Sequence, residues 1–261
     1  MRSQRSPVNS MDILDKFISS AKESIREGYY EVEKQAKVKK VSLRKKLDSG
    51  KFTLIAEIKH ASPAGEYSFD YIDVEKAAMD FAQCGSDAIS VVAEPKIFRG
   101  NLHNITIAKK AGLPVLFKDF VLGEQQIDAA RKVGADVVLL VVKVAERESL
   151  DLDGLVDYAH KQGLEVLLEA YDEREMQIAM KTKADILGIN NRDLQTLKVD
   201  LNRTANILKK VKLDRPLISE SGLKGRADAE FVKNAGASGI LVGTAIWKAQ
   251  DLREKVKELR V

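Results

Sequence analysis

From residue 52 onward the chain alternates between two kinds of segment. Short apolar, β-branched runs recur as TLIAEIK (53–59), AISVVAE (88–94), PVLFKDF (114–120), DVVLLVVK (136–143), EVLLEAY (165–171), DILGINN (185–191), PLISESG (216–222) and GILVGTA (239–245). Between them lie polar or glycine-containing stretches and then apolar residues at helical spacing, such as Leu155, Val156 and Ala159, or Leu252, Val256 and Leu259. Near-continuous apolar character, rather than strict alternation, marks strands buried on both faces of a parallel sheet. Successive runs start 20 to 35 residues apart, room for one strand and one crossover helix. Eight such units predict an α/β fold, a closed (β/α)8 TIM barrel, in preference to an open doubly wound sheet.

Ahead of the barrel, residues 11–50 predict a helix carrying Ile13, Leu14, Phe17, Ile18, Ala21 and Ile25, a break at Gly28, and a second, basic helix to about Leu47. No linker signature follows. The expectation is therefore one domain, 1–261, with an N-terminal helical extension (1–51) packed on a barrel (52–261). Residues 1–10 read as a frayed tail.

Charge refines this picture. The whole chain carries a formal +4, but residues 1–51 hold 13 Lys and Arg against 7 Asp and Glu, and the remainder holds 30 against 32. A basic excess confined to the extension, without interleaved aromatics, argues against a nucleic-acid partner. No apolar run reaches the ~20 residues of a membrane helix, and no apolar signal core opens the chain. One cysteine, Cys84, excludes an internal disulfide and fits the cytoplasm. Cys84 reads as core, and His60, His103 and His160 fall in unrelated units that form no metal constellation.

Barrels of this kind place their chemistry at the C-terminal ends of the strands. Here the runs end in Glu57 and Lys59, Glu94, Lys118 and Asp119, Lys143, Glu169, Asn190 to Arg192, and Glu220 with Ser221. Burying so many charges is costly unless function compensates. Lysines crowded against carboxylates suit proton transfer, because crowding shifts pKa values. Lys143 alone reads as a solvated rim residue. The last two runs add SESGLKG and GILVGTA, glycine turns with hydroxyls where barrels commonly hold a phosphate.

Taken together, Ala56-Glu57-Ile58-Lys59, Ser62-Pro63, Lys118-Asp119-Phe120, GINNRDL (188–194) and Ser219-Glu220-Ser221-Gly222 resemble the indole-3-glycerol phosphate synthase family. The resemblance spans the barrel and includes an N-terminal helical extension. It implies a carboxy-lyase of tryptophan biosynthesis, acting on a small phosphorylated substrate without metal or organic cofactor, as a monomer or weak homo-oligomer. By the same resemblance Lys118 is the first general acid, and Lys59, Glu169 and Glu57 supply the second acid and the base. Asn190 and Glu220 orient the intermediate, Arg192 pairs with carboxylates and Ser62 lies beside the substrate. Ser221, Gly222, Gly243 and Thr244 hold the phosphate, while Phe98, Phe120 and Leu241 wall the phenyl ring. Departures from the family pattern fall at Ala64, Ala93, Asn101 and Thr244 and bear on affinity more than on reaction type. Phosphoribosylanthranilate isomerase, a related phosphosugar barrel, uses a Cys where this chain has Lys59. A non-catalytic phosphate-binding barrel would not need Lys59, Lys118 and Glu169. If the extension covers the mouth, its lysines would also attract an anionic substrate.

Overall fold

The computed structural model describes residues 12–261; the tail at 1–10 and Met11 lie outside the described residues. Eight parallel strands, β1 (Thr53–Ile58), β2 (Ala88–Val92), β3 (Val115–Lys118), β4 (Val137–Val141), β5 (Glu165–Ala170), β6 (Ile186–Asn190), β7 (Leu217–Glu220) and β8 (Gly239–Val242), close in sequence order into a barrel. The extension supplies α1 (Ile13–Arg26) and α2 (Leu43–Leu47). Helices α3 (Val74–Gln83), α4 (His103–Ala108), α5 (Glu124–Val133), α6 (Val142–Glu148), α7 (Leu152–Lys161), α8 (Glu173–Lys181), α9 (Asn202–Leu208), α10 (Arg226–Asn234), α11 (Thr244–Trp247) and α12 (Leu252–Glu258) surround it. Among the described residues, no helix is long and apolar enough to cross a membrane.

The predicted barrel and its eight runs are therefore present, with shorter strands than the runs suggest. The fourth strand stops at Val141, and Lys143 lies in α6, its ammonium 4.6 Å from the centre of the Tyr171 ring. Cys84 is buried at the end of α3, as expected.

Two apolar layers hold the structure. One lies between the strands and the outer helices. The other fills the barrel with side chains such as Ile55, Leu116, Leu139, Leu167, Ile186 and Ile218, and it extends beyond both ends of the barrel. At the C-terminal end α1 adds Leu14, Phe17 and Ile18, and at the N-terminal end α2 adds Leu43 and Leu47. Asp12 starts α1 by accepting from the Asp15 amide at 2.8 Å, and Gly28, with φ of 73°, turns the chain after it.

The second predicted helix forms only as the single turn α2. Residues 33–42 are non-helical instead, because their hydrogen bonds go to the barrel. The Ala36 amide donates to the Lys132 carbonyl at 2.7 Å, Lys40 to the Ala135 carbonyl, and the Val41 amide to Asp136 at 2.9 Å. Long-range partners of this kind outweigh local helix preference. This strap carries Lys37, Lys39 and Lys40 to the floor of the barrel, opposite the mouth, and Arg44, Lys45 and Lys46 follow on α2. Within the extension α1 covers the mouth, whereas this basic run lies beneath the floor.

Candidate active site

Strand register sets the site. Val92 pairs with Lys118, Val141 with Glu169, Glu169 with Gly188, and Asn190 with Glu220, while Glu57 pairs with Ser90. The strand-end charges therefore converge on one cavity of about 880 Å³ at the mouth. It is lined by all the residues expected from the sequence: Lys118, Lys59, Glu169, Glu57, Asn190, Ser62, Phe98, Phe120, Arg192, Glu220, Ser221, Gly222, Leu241, Gly243 and Thr244.

Lys118 Nζ lies 3.2 Å from Glu220 Oε2 and 3.7 Å from Glu169 Oε2. The Asn190 amide donates to the other oxygen of Glu169 at 3.0 Å. Lys59 Nζ sits 2.9 Å from Glu57 Oε1. Burial pulls the Lys118 pKa down, but Glu220, Glu169 and Glu57 together outweigh it and hold the ammonium above its usual range. Burial pushes Glu57 up, and Lys59 and Lys118 more than reverse that, so its carboxylate stays ionised. Burial raises Glu220, with Lys118 opposing and Glu169 and Glu57 assisting. The oxygens Glu57 Oε2 and Glu220 Oε1 are buried without a hydrogen-bond partner among the described residues. Two glycines make room for these acids: a Cβ on Gly188 would meet Glu220 Oε1 at 2.9 Å, and one on Gly243 would meet Glu57 Oε1 at 2.5 Å.

The expected apolar wall gains a member that the sequence reading assigned only to a helix face. Phe17 of α1 stacks on Phe120 at 4.7 Å between ring centres and lies 5.4 Å from Phe98. Two buried acids fix this wall. Glu94 accepts from the Ile97 and Phe98 amides at 2.7 and 2.8 Å and from the Ser20 hydroxyl of α1 at 2.5 Å. Asp119 accepts from the Phe120 amide and, at 2.8 Å, from the Tyr30 hydroxyl. Burial pushes Asp119 up to about 7, although both hydrogen bonds oppose it. The sequence marked both acids as strand-end charges without assigning them a part; their partners lie 74 and 89 residues away.

At the other side of the mouth, Ser221 and Gly222 both take left-handed backbone conformations, φ 68° and 84°. Asn191 holds this turn by donating to the Ser221 carbonyl at 3.1 Å and to Ser219 at 3.0 Å. Trp247 of α11 donates to the Glu57 carbonyl at 2.7 Å, fastening the turn at Gly243 and Thr244 to the end of β1. Lys224, Lys248 and Lys255 also line this end of the cavity. Sequence reasoning passed over them, although Lys224 follows the SESGL motif directly. Arg192 and Ser62 complete the mouth, and both meet Glu66, another residue unassigned from sequence. Among the described residues no group of three or more His, Cys, Asp or Glu could hold a metal ion.

Comparison with known proteins agrees with this geometry. The family model described as indole-3-glycerol phosphate synthase matches residues 14–259. An indole-3-glycerol phosphate synthase of Bacillus mycoides (strain KBAB4) is 37% identical over 254 residues, covering 95% of this chain and 98% of that protein. One from Bacillus cereus (strain AH820) is 36% identical over 255 residues, with the same shares covered. Among solved structures, a 3-hexulose-6-phosphate synthase matches with a TM-score of 0.62 at 25% identity, covering 80% of this chain and 98% of that one. A thiamine phosphate pyrophosphorylase from Pyrococcus furiosus matches at 0.60 and 21% identity over 84% of this chain and 96% of that one, a likeness of fold alone. From its barrel, its mouth and these relatives, the chain belongs to the indole-3-glycerol phosphate synthase family, carboxy-lyases of tryptophan biosynthesis.

Proposed function

We propose that the mouth residues divide among them the closure of the indole ring of 1-(2-carboxyphenylamino)-1-deoxyribulose 5-phosphate. The ring carbon bearing the carboxylate attacks the ketone carbon, and Lys118 gives its proton to the ketone oxygen as the carbon–carbon bond forms. Carbon dioxide then leaves, its bonding electrons returning to the ring. Lys59 protonates the new hydroxyl, which departs as water, while Glu169 or Glu57 takes a proton from the methylene carbon beside the nitrogen, whose C–H electrons form the carbon–carbon double bond that makes the ring aromatic.

The observation that carries this reading is the pair of lysine–carboxylate clusters in one cavity, Lys118 with Glu169 and Glu220, and Lys59 with Glu57. The carboxylates keep Lys118 protonated despite burial, and the alkoxide that develops during attack is basic enough to draw its proton off. Asn190 orients Glu169, and Glu220 orients Lys118. Phe98, Phe120 and Leu241 receive the phenyl ring. Ser221, Gly222, Gly243 and Thr244 receive the phosphate, whose charge is complemented by Lys224, Lys248 and Lys255. Arg192 and Ser62 take the carboxylate. The extension and barrel act as one domain, and the one buried cysteine supports a reducing, cytoplasmic setting.

The test is direct. Purified protein supplied with this substrate forms fluorescent indole product, and Lys118→Ala lowers turnover by roughly 100-fold or more, the scale of general acid catalysis. Unchanged turnover in the variant would remove Lys118 from the acid role.

A further inference from the structure

Glu66 sits at the tip of a small hairpin in the loop after β1. Its base is pinned by the Ala61–Ser68 bridge, by the Ser62 amide donating to the Tyr67 carbonyl at 3.0 Å, and by the Phe69 amide donating to the His60 carbonyl at 2.8 Å. The Glu66 carboxylate has two partners among the described residues. It accepts from the Ser62 hydroxyl at 2.7 Å and lies 3.6 Å from Arg192 Nη2, in the loop after β6. These are the two side chains to which the proposed reading gives the substrate carboxylate. Glu66 thus presents to them the same chemical group, with the same charge, that the substrate brings.

The remaining geometry suits exchange of one carboxylate for another. Arg192 is positioned without Glu66, because its Nη1 donates to the Leu197 carbonyl at 3.2 Å and its amide to Asn190 at 2.9 Å. At 3.6 Å the ion pair is longer than a hydrogen bond, so the planar, two-pronged contact that a guanidinium offers an incoming carboxylate is not used up. The Glu66 side chain is 31% exposed against 17% for Arg192, so it lies on the water side of the pair. A rotation about its own bonds returns it to solvent while the hairpin base stays fixed.

We propose that Glu66 competes with the substrate carboxylate for Arg192 and Ser62, and so sets the affinity and selectivity of this mouth for carboxylate-bearing ligands. This rests on the assignment of Arg192 and Ser62 made above. Glu66 is a specificity-determining residue: it leaves the proton-transfer groups untouched and acts on binding.

Two ligands test it, the substrate with its ketone reduced to an alcohol and the same molecule without the ring carboxylate. Glu66→Gln keeps an acceptor for Ser62 and removes the charge opposite Arg192. The variant binds the carboxylated ligand about 3- to 10-fold more tightly, the scale of one partly exposed ion pair, and binds the other ligand as the unsubstituted protein does. KM for the substrate falls by the same factor while kcat holds within about 2-fold. Equal tightening of both ligands, or of neither, would overturn the competition. Unsubstituted protein that binds the two ligands equally would overturn the assignment of Arg192 and Ser62, and this proposal with it.

Discussion

The two ends of the barrel are built from the same materials and put to opposite uses. Each is closed by one helix of the extension, and each carries acidic residues at its strand ends. At the floor the acids are saturated. Asp136 accepts from Lys109 Nζ at 2.5 Å, from the Val115 amide at 2.8 Å and from the Val41 amide at 2.9 Å. Glu165 accepts from the Leu43 and Arg44 amides at 2.9 and 3.0 Å and from the Ser42 hydroxyl. At the mouth Glu57 pairs with Lys59 and Glu220 with Lys118, and each leaves one buried oxygen without a partner among the described residues. A fully paired buried charge fastens the structure, whereas one with an open lone pair costs stability and remains available to a substrate. The difference lies in the partners, not in the residue types.

This contrast can be broken from either end. The largest effect is expected at the floor. Asp136→Ala leaves Lys109 buried without its counter-charge and frees two amides, a loss of about 3–5 kcal/mol, while kcat of the remaining folded protein is unchanged. Urea denaturation and turnover measured on the same samples decide it; a loss below about 1 kcal/mol would show that the floor acids do not fasten the barrel.

A smaller effect belongs to Asp119. Its pKa is 3.8 in the unfolded chain and is pushed up to about 7 in the fold, so the folded state holds the extra proton. Stability contributed by this group is therefore present at low pH and is lost as pH rises from about 4 to about 7. In Asp119→Asn the fall of Tm over that window is shallower than in the unsubstituted protein. Glu175, also raised to about 7 by burial, preserves part of the slope. Parallel Tm profiles for the two proteins would refute the assignment.

The smallest effect separates the ends electrostatically. Lys37, Lys39 and Lys45 lie on the strap and α2, a barrel's depth from the mouth and beyond the Debye length of about 8 Å at physiological salt. Replacing all three with Gln changes kcat/KM by less than about 2-fold at any ionic strength, as a salt titration of initial rates would show. A large loss of salt dependence would restore these lysines as attractors of substrate.

The barrel was legible in the sequence because each strand is buried on both faces and so is written as a continuous apolar run. The charged residues that line the mouth were legible because a charge at the end of such a run is expensive enough to need a reason. What escaped is set by partners distant in sequence. The strap looks helical in its own residues and is held extended by residues 132, 135 and 136. Phe17 reads as one apolar position among several until Phe98 and Phe120 stack against it. Glu66 reads as a loop residue until Arg192, well over a hundred positions later, faces it. Local pattern encodes elements; it does not encode which elements meet.

The route of the extension from mouth to floor bears on how the protein is made. Residues 12–47 leave the ribosome before the barrel strands, yet their partners lie far downstream: Ser20 with Glu94, Leu43 with Glu165, Arg44 with Asp185, and Asp12 with Gln195, the last a separation of 183 residues. The segment must wait, with Phe17, Ile18 and Leu43 uncovered, until strands β2 to β6 have emerged and begun to close. A segment made ahead of the barrel thus docks only after most of the barrel exists, and a half-made chain carries an exposed apolar helix until then.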